Sequence, residues 1–532
     1  MVDLALFNEN IPAMVRIGDY LADRLYALGV RHVFTGPVAP PTLAAVMDSA
    51  GIDVVRMGDD AEAGAAADAY GRMRGIGVAL AGYGASGLAL INSAAQAFAE
   101  RSPLLIVAEV PDPANWRFHP LLGAAAYNPA ARPPQIRAFE PVVAAAITLD
   151  APDIACREIE QGLLTMTARK QPVYMEIAVG TLSVTTTPMP APLASRATSD
   201  PAVLTAAIDD ARSMILAAER PVILIGVEIQ RFNLQNTVLQ FMASTGIPAA
   251  VTLLGKSVIG EHVAGFMGMY APDDAHARVR RGVEESDGLI MLGARGMDLT
   301  PGGDPPAIDP GHRIIATADR IQIGHRRYDG ITLADFTNGL AAAGIPERAL
   351  ATQPGAAVRV PPPLGREQPL TREGVYGVLA DALTDEMVVI ADAGAALLTV
   401  ADLPVQLCSE FMSPASYGGR GFAIPASIGV GLAEPELRTV VLVELDALAR
   451  NGWELATARR LGLAPIVIVL GPVPASPGGW DPRHLPDVIG GGWAVSCRTE
   501  GDFASAVATA MTRRNEVALI DVRLDPARAG SG

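Results

Sequence analysis

Cysteine is scarce in this sequence: among 532 residues there are three, Cys156, Cys408 and Cys497, and they lie far apart. No CxxC pair occurs, so we expect neither a zinc knuckle nor a disulfide framework, and the odd count favours a reducing compartment. Long apolar runs are also missing, and the N-terminus lacks the basic start and apolar core of a signal peptide. We therefore expect a cytoplasmic protein without a membrane segment.

Positive charge is in short supply as well. The 41 Lys and Arg residues face 57 Asp and Glu residues, which leaves a formal net charge of −16. A nucleic-acid-binding protein needs a basic surface, so this balance argues against that class. Half of the residues are hydrophobic and 18% are charged, which excludes general disorder. At about 150 residues per domain, the length predicts roughly three or four domains.

Two proline-rich stretches, Thr185 to Pro201 and Thr352 to Pro369, divide the chain. We interpret both as extended linkers, because proline removes a backbone donor and disfavours a helix before it. They leave three segments of similar size: 1–184, 202–351 and 370–532.

Each segment alternates short apolar strands with amphipathic helices. Continuous Val/Ile/Leu runs separated by helices predict parallel sheets covered on both faces, so we expect three doubly wound α/β domains. The predicted strands are HVFTG, DVVRM, GVALAGYG and PLLIVAEV in the first segment, PVILIGV, PAAVTLL, GLIMLGA and RIIATA in the second, and MVVIADAG, TVVLVEL, PIVIVLG and VALIDVR in the third.

Motifs in all three segments resemble those of one enzyme family. They include AAADAYGRMRG in the first segment, RPVILIGVEIQ and SDGLIMLGARGMD in the second, and ADAGAA, SYGGRGFAIPASIGVGLAEPE and WELATARRLGLAPIVIVLG in the third. The sequence is similar to thiamine diphosphate-dependent 2-oxo acid decarboxylases, in the branch of pyruvate, indolepyruvate and phenylpyruvate decarboxylases. The resemblance implies a pyrimidine-binding-like, a central and a diphosphate-binding-like domain. It also implies thiamine diphosphate and magnesium as cofactors, and a homodimer or homotetramer whose sites lie between two subunits.

The metal-binding motif departs from the family pattern. Counting back from WELAT, the family's G-D-G triplet falls on Glu444, Leu445 and Asp446, so leucine replaces the metal-binding aspartate. The family's Asn position falls near Gly471-Pro472. Magnesium needs oxygen ligands, so we assign no metal ligand. A shifted loop that presents Glu444 or Asp446 is the alternative.

The cofactor-binding loops retain their glycines but differ from the family at Arg420. Arg420 places a cation where the family usually has an apolar residue, and it either pairs with phosphate or forms an ion pair with Glu444 or Asp446. We expect the ion pair, because both acids follow the next strand of the same sheet. The predicted cofactor-binding residues are Gly394, Tyr417, Gly418, Gly419, Arg420, Glu444 and Asp446.

Three residues are candidates for acid–base chemistry. Asp60 lies ten residues before Tyr70, where the resemblance places the glutamate that activates the cofactor, and Glu62 is nearby. His119 is what remains of a family His-His motif, and a histidine there could act as a general base. Alternatively, the acids only form a favourable helix N-terminus, and His119 is a packed or surface residue.

The departures are concentrated in loops that handle cofactor and protons. TGPVAPPTL and PVPASPGGW lack the acids that the family has there, whereas the strands and helices are retained. This favours a repurposed enzyme that acts on a small-molecule substrate without the ordinary thiamine diphosphate cycle. An active decarboxylase or carboligase with shifted ligands, and a non-catalytic regulatory or scaffold homologue, are the alternatives. Nothing in the central segment identifies FAD or another nucleotide.

Overall fold

The structure is a computed structural model. It describes residues 14–122, 133–189, 198–271, 276–296, 309–348, 365–404, 411–472 and 481–525. The chain divides into two compact units. Unit 1 is Met1–Arg196 with Gly421–Leu437 and Ala449–Leu463, and unit 2 is Ala197–Arg420 with Arg438–Leu448 and Ala464–Gly532.

The strands of the described residues are β1 Val15–Arg16, β2 His32–Thr35, β3 Asp53–Arg56, β4 Gly77–Gly82, β5 Leu104–Val110, β6 Ala145–Leu149, β7 Val173–Ala178, β8 Thr185–Thr186, β9 Pro221–Ile225, β10 Ala249–Thr252, β11 Phe266–Tyr270, β12 Gly288–Leu292, β13 Arg313–Thr317, β14 Arg320–Ile323, β15 Arg326–Tyr328, β16 Met387–Ala391, β17 Phe411–Met412, β18 Arg438–Glu444, β19 Ile466–Pro472, β20 Trp493–Cys497 and β21 Ala518–Leu524. All twelve strands predicted from the sequence are confirmed.

The α-helices of the described residues are α1 Ile17–Ala27, α2 Pro41–Ser49, α3 Asp60–Arg74, α4 Ala85–Ala89, α5 Ile91–Ala99, α6 Pro134–Phe139, α7 Pro152–Arg169, α8 Val179–Leu182, α9 Pro201–Ala217, α10 Glu228–Arg231, α11 Gln235–Thr245, α12 Ala277–Glu284, α13 Leu333–Ala341, α14 Arg372–Ala382, α15 Ala395–Val400, α16 Ala423–Ala433, α17 Leu445–Asn451, α18 Glu454–Arg460, α19 Leu485–Val488 and α20 Glu500–Thr512. No helix of the described ranges is long and apolar enough to cross a membrane.

Unit 1 contains a six-stranded sheet in the order β3-β2-β4-β5-β7-β6. Its strands are parallel, with Phe34 opposite Ala79 in the β2–β4 pair. The chain runs outward from β2 to β3 and then returns to the other side of β2 with β4. The strand order therefore reverses between β2 and β4, and this is the topological switch point of the sheet. Ligands of doubly wound sheets bind outside the carboxyl ends of the strands at such a point.

Unit 2 contains two further sheets. The first has the order β11-β10-β9-β12-β13-β14-β15, and its last two strand pairs are antiparallel. The other has the order β17-β16-β18-β19-β21-β20 and is parallel, with its topological switch point between β16 and β18. The predicted doubly wound α/β class is therefore confirmed, with an antiparallel edge on one sheet.

Helix α3 is the element of unit 1 that carries two of the predicted site residues. Its start is capped by Asp59, whose side chain accepts the Ala61 N–H, and its end by Gly75 at φ 91°. Small residues let other elements approach it closely: a Cβ on Gly429 of α16 would lie 2.1 Å from the Ala66 carbonyl oxygen. The abundance of alanine and glycine in both helices therefore reflects their close packing.

The predicted first linker begins differently from the expectation. Thr185 and Thr186 form strand β8, which pairs antiparallel with Val15 and Arg16 of β1. Residues 190–197 of this linker, and 349–364 in and before the second one, lie outside the described residues.

Candidate active site

Asp60 lies at the carboxyl edge of the unit 1 sheet, at its topological switch point. Its Oδ1 accepts a hydrogen bond of 2.6 Å from the Ser86 hydroxyl, which follows β4. Gly36 follows β2, and a Cβ added there would lie 2.2 Å from the same oxygen. We call Asp60, Ser86 and Gly36 the Asp60 cluster. Topology alone would place a ligand site at this position.

The acids at the start of α3 have different surroundings. Asp59 is a helix cap, because it accepts the Ala61 N–H at 2.8 Å. Glu62 has a partner outside the Asp60 cluster and accepts a hydrogen bond of 2.7 Å from the Asn451 side-chain amide. The alternative in which these acids only form a favourable helix N-terminus therefore applies to Asp59. Asp60 and Glu62 each have a separate side-chain partner.

His119 follows a short 3-10 helix, Pro113–Phe118, and packs edge-on against Tyr83 with ring centroids 5.2 Å apart. Its Nδ1 accepts the Leu121 N–H at 3.3 Å. A neutral ring with Nδ1 as acceptor carries its proton on Nε2. Burial raises the pKa of Tyr83 to about 12, so Tyr83 is a neutral neighbour.

A buried polar chain holds the turn between β4 and α4. The Gln135 side-chain oxygen accepts the Gly84 N–H at 2.7 Å, and its nitrogen donates to the Tyr174 hydroxyl at 2.6 Å. Tyr174 in turn donates to Glu176 at 2.9 Å. A Cβ on Gly87 would lie 2.2 Å from the Gln135 side-chain nitrogen. Of the glycines in GYGASG, Gly87 is therefore explained by the approach of Gln135, and Gly84 by its positive φ of 97°.

In unit 2, the predicted cofactor-binding residues Arg420, Glu444 and Asp446 meet beyond the carboxyl end of β18. The Arg420 guanidinium lies 3.2 Å from the Asp446 carboxylate and 3.8 Å from that of Glu444. Glu444 also accepts the N–H of Ala395, the first residue of α15, at 2.8 Å. The predicted ion pair is therefore confirmed. We call Arg420, Glu444, Asp446 and Ala395 the Arg420 cluster.

Glycine is required beside this cluster. Gly394 has a φ of 109°, and a Cβ there would lie 2.6 Å from Glu444 Oε1. Gly418 also has a positive φ, of 75°, whereas Tyr417 is half-buried. Among the described residues, no group of three or more His, Cys, Asp or Glu side chains is arranged to hold a metal ion. The segment 473–480, where the sequence lacks the family's late acid, lies outside the described residues.

Sequence reasoning did not find four residues that contact the predicted site residues or the segments beside them: Ser86, Gln135, Asn451 and Glu454. Ser86 lies within GYGASG and Glu454 within WELAT, so both were visible in motifs, without a signal for what they contact. Glu454 is completely buried and accepts the Gly58 N–H. Gln135 and Asn451 have no motif that marks them.

Three family descriptions match the chain. They are "Thiamine pyrophosphate enzyme, N-terminal TPP binding domain" over residues 15–121, the central domain of the same enzymes over 208–341, and their C-terminal TPP binding domain over 392–471. Thiamine pyrophosphate is another name for thiamine diphosphate.

Curated relatives match at low identity over most of their length. An indole-3-pyruvate decarboxylase of Azospirillum brasilense is 29% identical over 76% of this chain and 74% of its own. An alpha-keto-acid decarboxylase of Mycobacterium avium (strain 104) is 27% identical over 85% of this chain and 81% of its own. One of Mycolicibacterium paratuberculosis is 26% identical over 96% of this chain and 93% of its own.

Proposed function

Because the chain belongs to the thiamine diphosphate-dependent 2-oxo acid decarboxylase family, we propose that it is a repurposed enzyme of that family. Its reaction would not depend on a diphosphate held by magnesium. The observation that carries this proposal is the Arg420 cluster, in which the protein's own ion pair lies at the topological switch point of the sheet that contains β16 and β18.

The Arg420 cluster does not fit a metal-held diphosphate. The Leu445 side chain has no oxygen to offer magnesium, which is bound through oxygen ligands. Glu444 already accepts the Ala395 N–H, a donor of the kind that binds phosphate oxygens. The carboxylates of Glu444 and Asp446 also place negative charge beside any incoming phosphate. An anionic ligand would have to displace Glu444 from Ala395 and Asp446 from Arg420.

The two residues proposed for acid–base chemistry, Asp60 and His119, are in unit 1. Asp60 is fixed by Ser86 at the carboxyl edge of the sheet, where a carboxylate can accept a proton from a bound substrate. His119 can donate from Nε2. The relatives are named for action on alpha-keto acids and indole-3-pyruvate, so 2-oxo acids are the first substrate class to test.

Calorimetric titration with thiamine diphosphate and magnesium tests the proposal. We expect no metal-dependent binding to the wild-type protein. The fourfold variant Glu444→Gly, Leu445→Asp, Asp446→Gly and Pro472→Asn rebuilds the family motif and should gain binding. Asp309→Asn, which removes an exposed ion pair with His312, is the control and should behave as wild type. Tight magnesium-dependent binding to the wild-type protein would refute the proposal and make the chain an ordinary member of its family.

Turnover separates a repurposed enzyme from a non-catalytic homologue. Purified protein is incubated with a panel of 2-oxo acids and followed by NMR, after a mass-spectrometric search for ligands that co-purify. Asp60→Asn should abolish any turnover, whereas Asp153→Asn, on the exposed start of α7, should leave it unchanged. No turnover and no ligand would favour the regulatory or scaffold alternative.

We further propose that the protein is cytoplasmic, as its few cysteines favour, and that it is a homodimer or homotetramer, as the resemblance implies. Light scattering of the purified chain tests its assembly. A monomeric mass at micromolar concentration would contradict any site that needs two subunits.

A further inference from the structure

Two glutamates of unit 1 meet where the start of α3 lies against the start of α18. Glu62 is in the first turn of α3, and Glu454 is the first residue of α18. Asn451 donates its side-chain N–H to Glu62 Oε1 at 2.7 Å, and the Gly58 N–H donates to Glu454 Oε1. A Cβ on Gly58 would lie 2.6 Å from Glu454 Oε1, so the backbone before α3 closes over this carboxylate. We call Glu62 and Glu454 the acid pair.

The hydrogen bonds of the acid pair are incomplete if both groups are ionised. Glu454 is completely buried, and its Oε2 has no hydrogen-bond partner among the residues that the structure describes. A buried carboxylate oxygen without a donor is costly, and a second carboxylate beside it adds repulsion. One proton placed on Glu62 removes a charge and supplies the missing donor. We propose that Glu62 and Glu454 hold a single proton between them at neutral pH and form an acid–carboxylate pair that joins α3 to α18.

The electrostatic surroundings favour this proton. Burial raises the pKa of Glu62 to about 10, and the hydrogen bond with Glu454 and the charges of Glu454 and Asp59 add to the effect. The Asn451 amide acts in the opposite direction. Coupled carboxyl groups titrate as a pair, so the proton belongs to both groups.

Neighbouring elements provide few cations for the acid pair. Helices α4, α5 and α16 pack against α3, and their sequences contain no ionisable residue. On α3 itself, Asp59 and Asp60 are acidic. On the α18 side, Arg460 donates to the Arg56 carbonyl oxygen at 2.5 Å, and Arg450 and Arg459 are exposed.

A proton fits this position better than a metal ion does. The acid pair offers two carboxylates, and the Asn451 group that faces Glu62 is an N–H donor, which a cation cannot use. No group of three or more possible metal-ligating side chains occurs in the part of the chain that the structure describes. A hard cation with two carboxylates would lack most of its oxygen ligands.

Infrared spectroscopy tests the proposal on the intact protein. A protonated carboxylic acid has a C=O stretch that a carboxylate lacks, and it shifts in D₂O. We expect this band at pH 7 in the wild-type protein and its loss in Glu62→Gln. The control Glu373→Gln, in the exposed first turn of α14, should keep the band. Absence of the band in the wild-type protein at pH 7 would overturn the proposal.

The pH dependence of unfolding gives an independent measurement. A carboxyl whose pKa is raised by folding stabilises the native state below its unfolded pKa, and this contribution is lost as pH rises towards the folded value. Relative to Glu62→Gln, the unfolding constant of the wild-type protein should rise about tenfold per pH unit between pH 5 and pH 8. An equal pH dependence of both proteins would contradict the shared proton. Stabilisation of the wild-type protein by sodium or magnesium that Glu62→Gln abolishes would show that the pair holds a cation instead.

Discussion

Replacement of Arg72 by methionine should remove the charge that holds α3 against α5. The Arg72 guanidinium contacts Asp68 at 2.8 Å and Glu100 at 3.5 Å, and both carboxylates are fully buried. Gln96 of α5 adds a hydrogen bond of 3.0 Å to Asp68. Methionine fills a similar volume, so the main effect is electrostatic: two buried carboxylates lose their shared cation.

The expected loss is large for a single substitution. Breaking a buried ion pair by removing one partner costs about 3–5 kcal/mol, because the remaining charge is buried without compensation. Arg72 also lies over the Phe422 ring, 5.1 Å from its centroid, which adds a smaller cation–π loss. We expect the free energy of unfolding to fall by about 4 kcal/mol.

Denaturant unfolding of Arg72→Met and Arg74→Met is the assay. Arg74 is on the same helix, but its side chain is 48% exposed in its ion pair with Glu434, so its replacement should cost about 1 kcal/mol or less. Losses that differ by less than about 1 kcal/mol would refute the reasoning, because a buried and a half-exposed arginine would then be equivalent.

The pH dependence of the Arg72→Met defect gives a further check. Burial by itself would raise the pKa of Asp68, but the charge and hydrogen bonds of Arg72 outweigh it and the pKa is lowered. In the wild-type protein this contribution is present above the unfolded pKa of aspartate, about 3.9, and is lost as pH falls towards the folded value. Without Arg72, burial raises the pKa, so the variant's deficit should shrink from pH 7 to pH 4.

Two further predictions concern other parts of the fold. Gly36→Ala should lower stability by about 1–3 kcal/mol and displace Asp60, because the new Cβ would lie 2.2 Å from its carboxylate; Gly82→Ala, which meets nothing within 4 Å, is the control for denaturant unfolding. Burial raises the pKa of Cys156 to about 11 and that of Cys497 to about 12, so both thiols should resist Ellman's reagent at pH 8 until the protein unfolds. Peptide mapping of the labelled protein would contradict this if it found either thiol modified in the native state.

Most of the fold could be predicted because its strands are local in sequence. A run such as VVLV, from Val440 to Val443, is apolar at every position, as expected of a short strand buried on both faces, and a helix between two such runs indicates that they are parallel. The antiparallel strands β14 and β15 were not predicted. They contain Arg320, Arg326 and Arg327, so the apolar pattern is interrupted at the edge of the sheet, where one side of each strand is less covered.

The candidate site was predictable only in part, for a physical reason. The Arg420 ion pair could be inferred because Glu444 ends β18 and Asp446 follows it, close to the loop that carries Arg420. The acid pair could not be inferred, because Glu62 and Glu454 are far apart in the sequence and their contact depends on how α3 and α18 pack. Likewise Ser86 and Gly36 meet Asp60 only because β2 and β4 are neighbours in the sheet.

By itself the sequence determined the class of fold and the order of the twelve predicted strands along the chain, since apolar periodicity is a property of the residues alone. Only the tertiary structure decided which charges meet. It placed Arg420 between Glu444 and Asp446, Asp60 beside Ser86, and Glu62 beside Glu454. The reason is that electrostatic and hydrogen-bond energies depend on distance and burial, and those exist only once the helices have packed on the sheets.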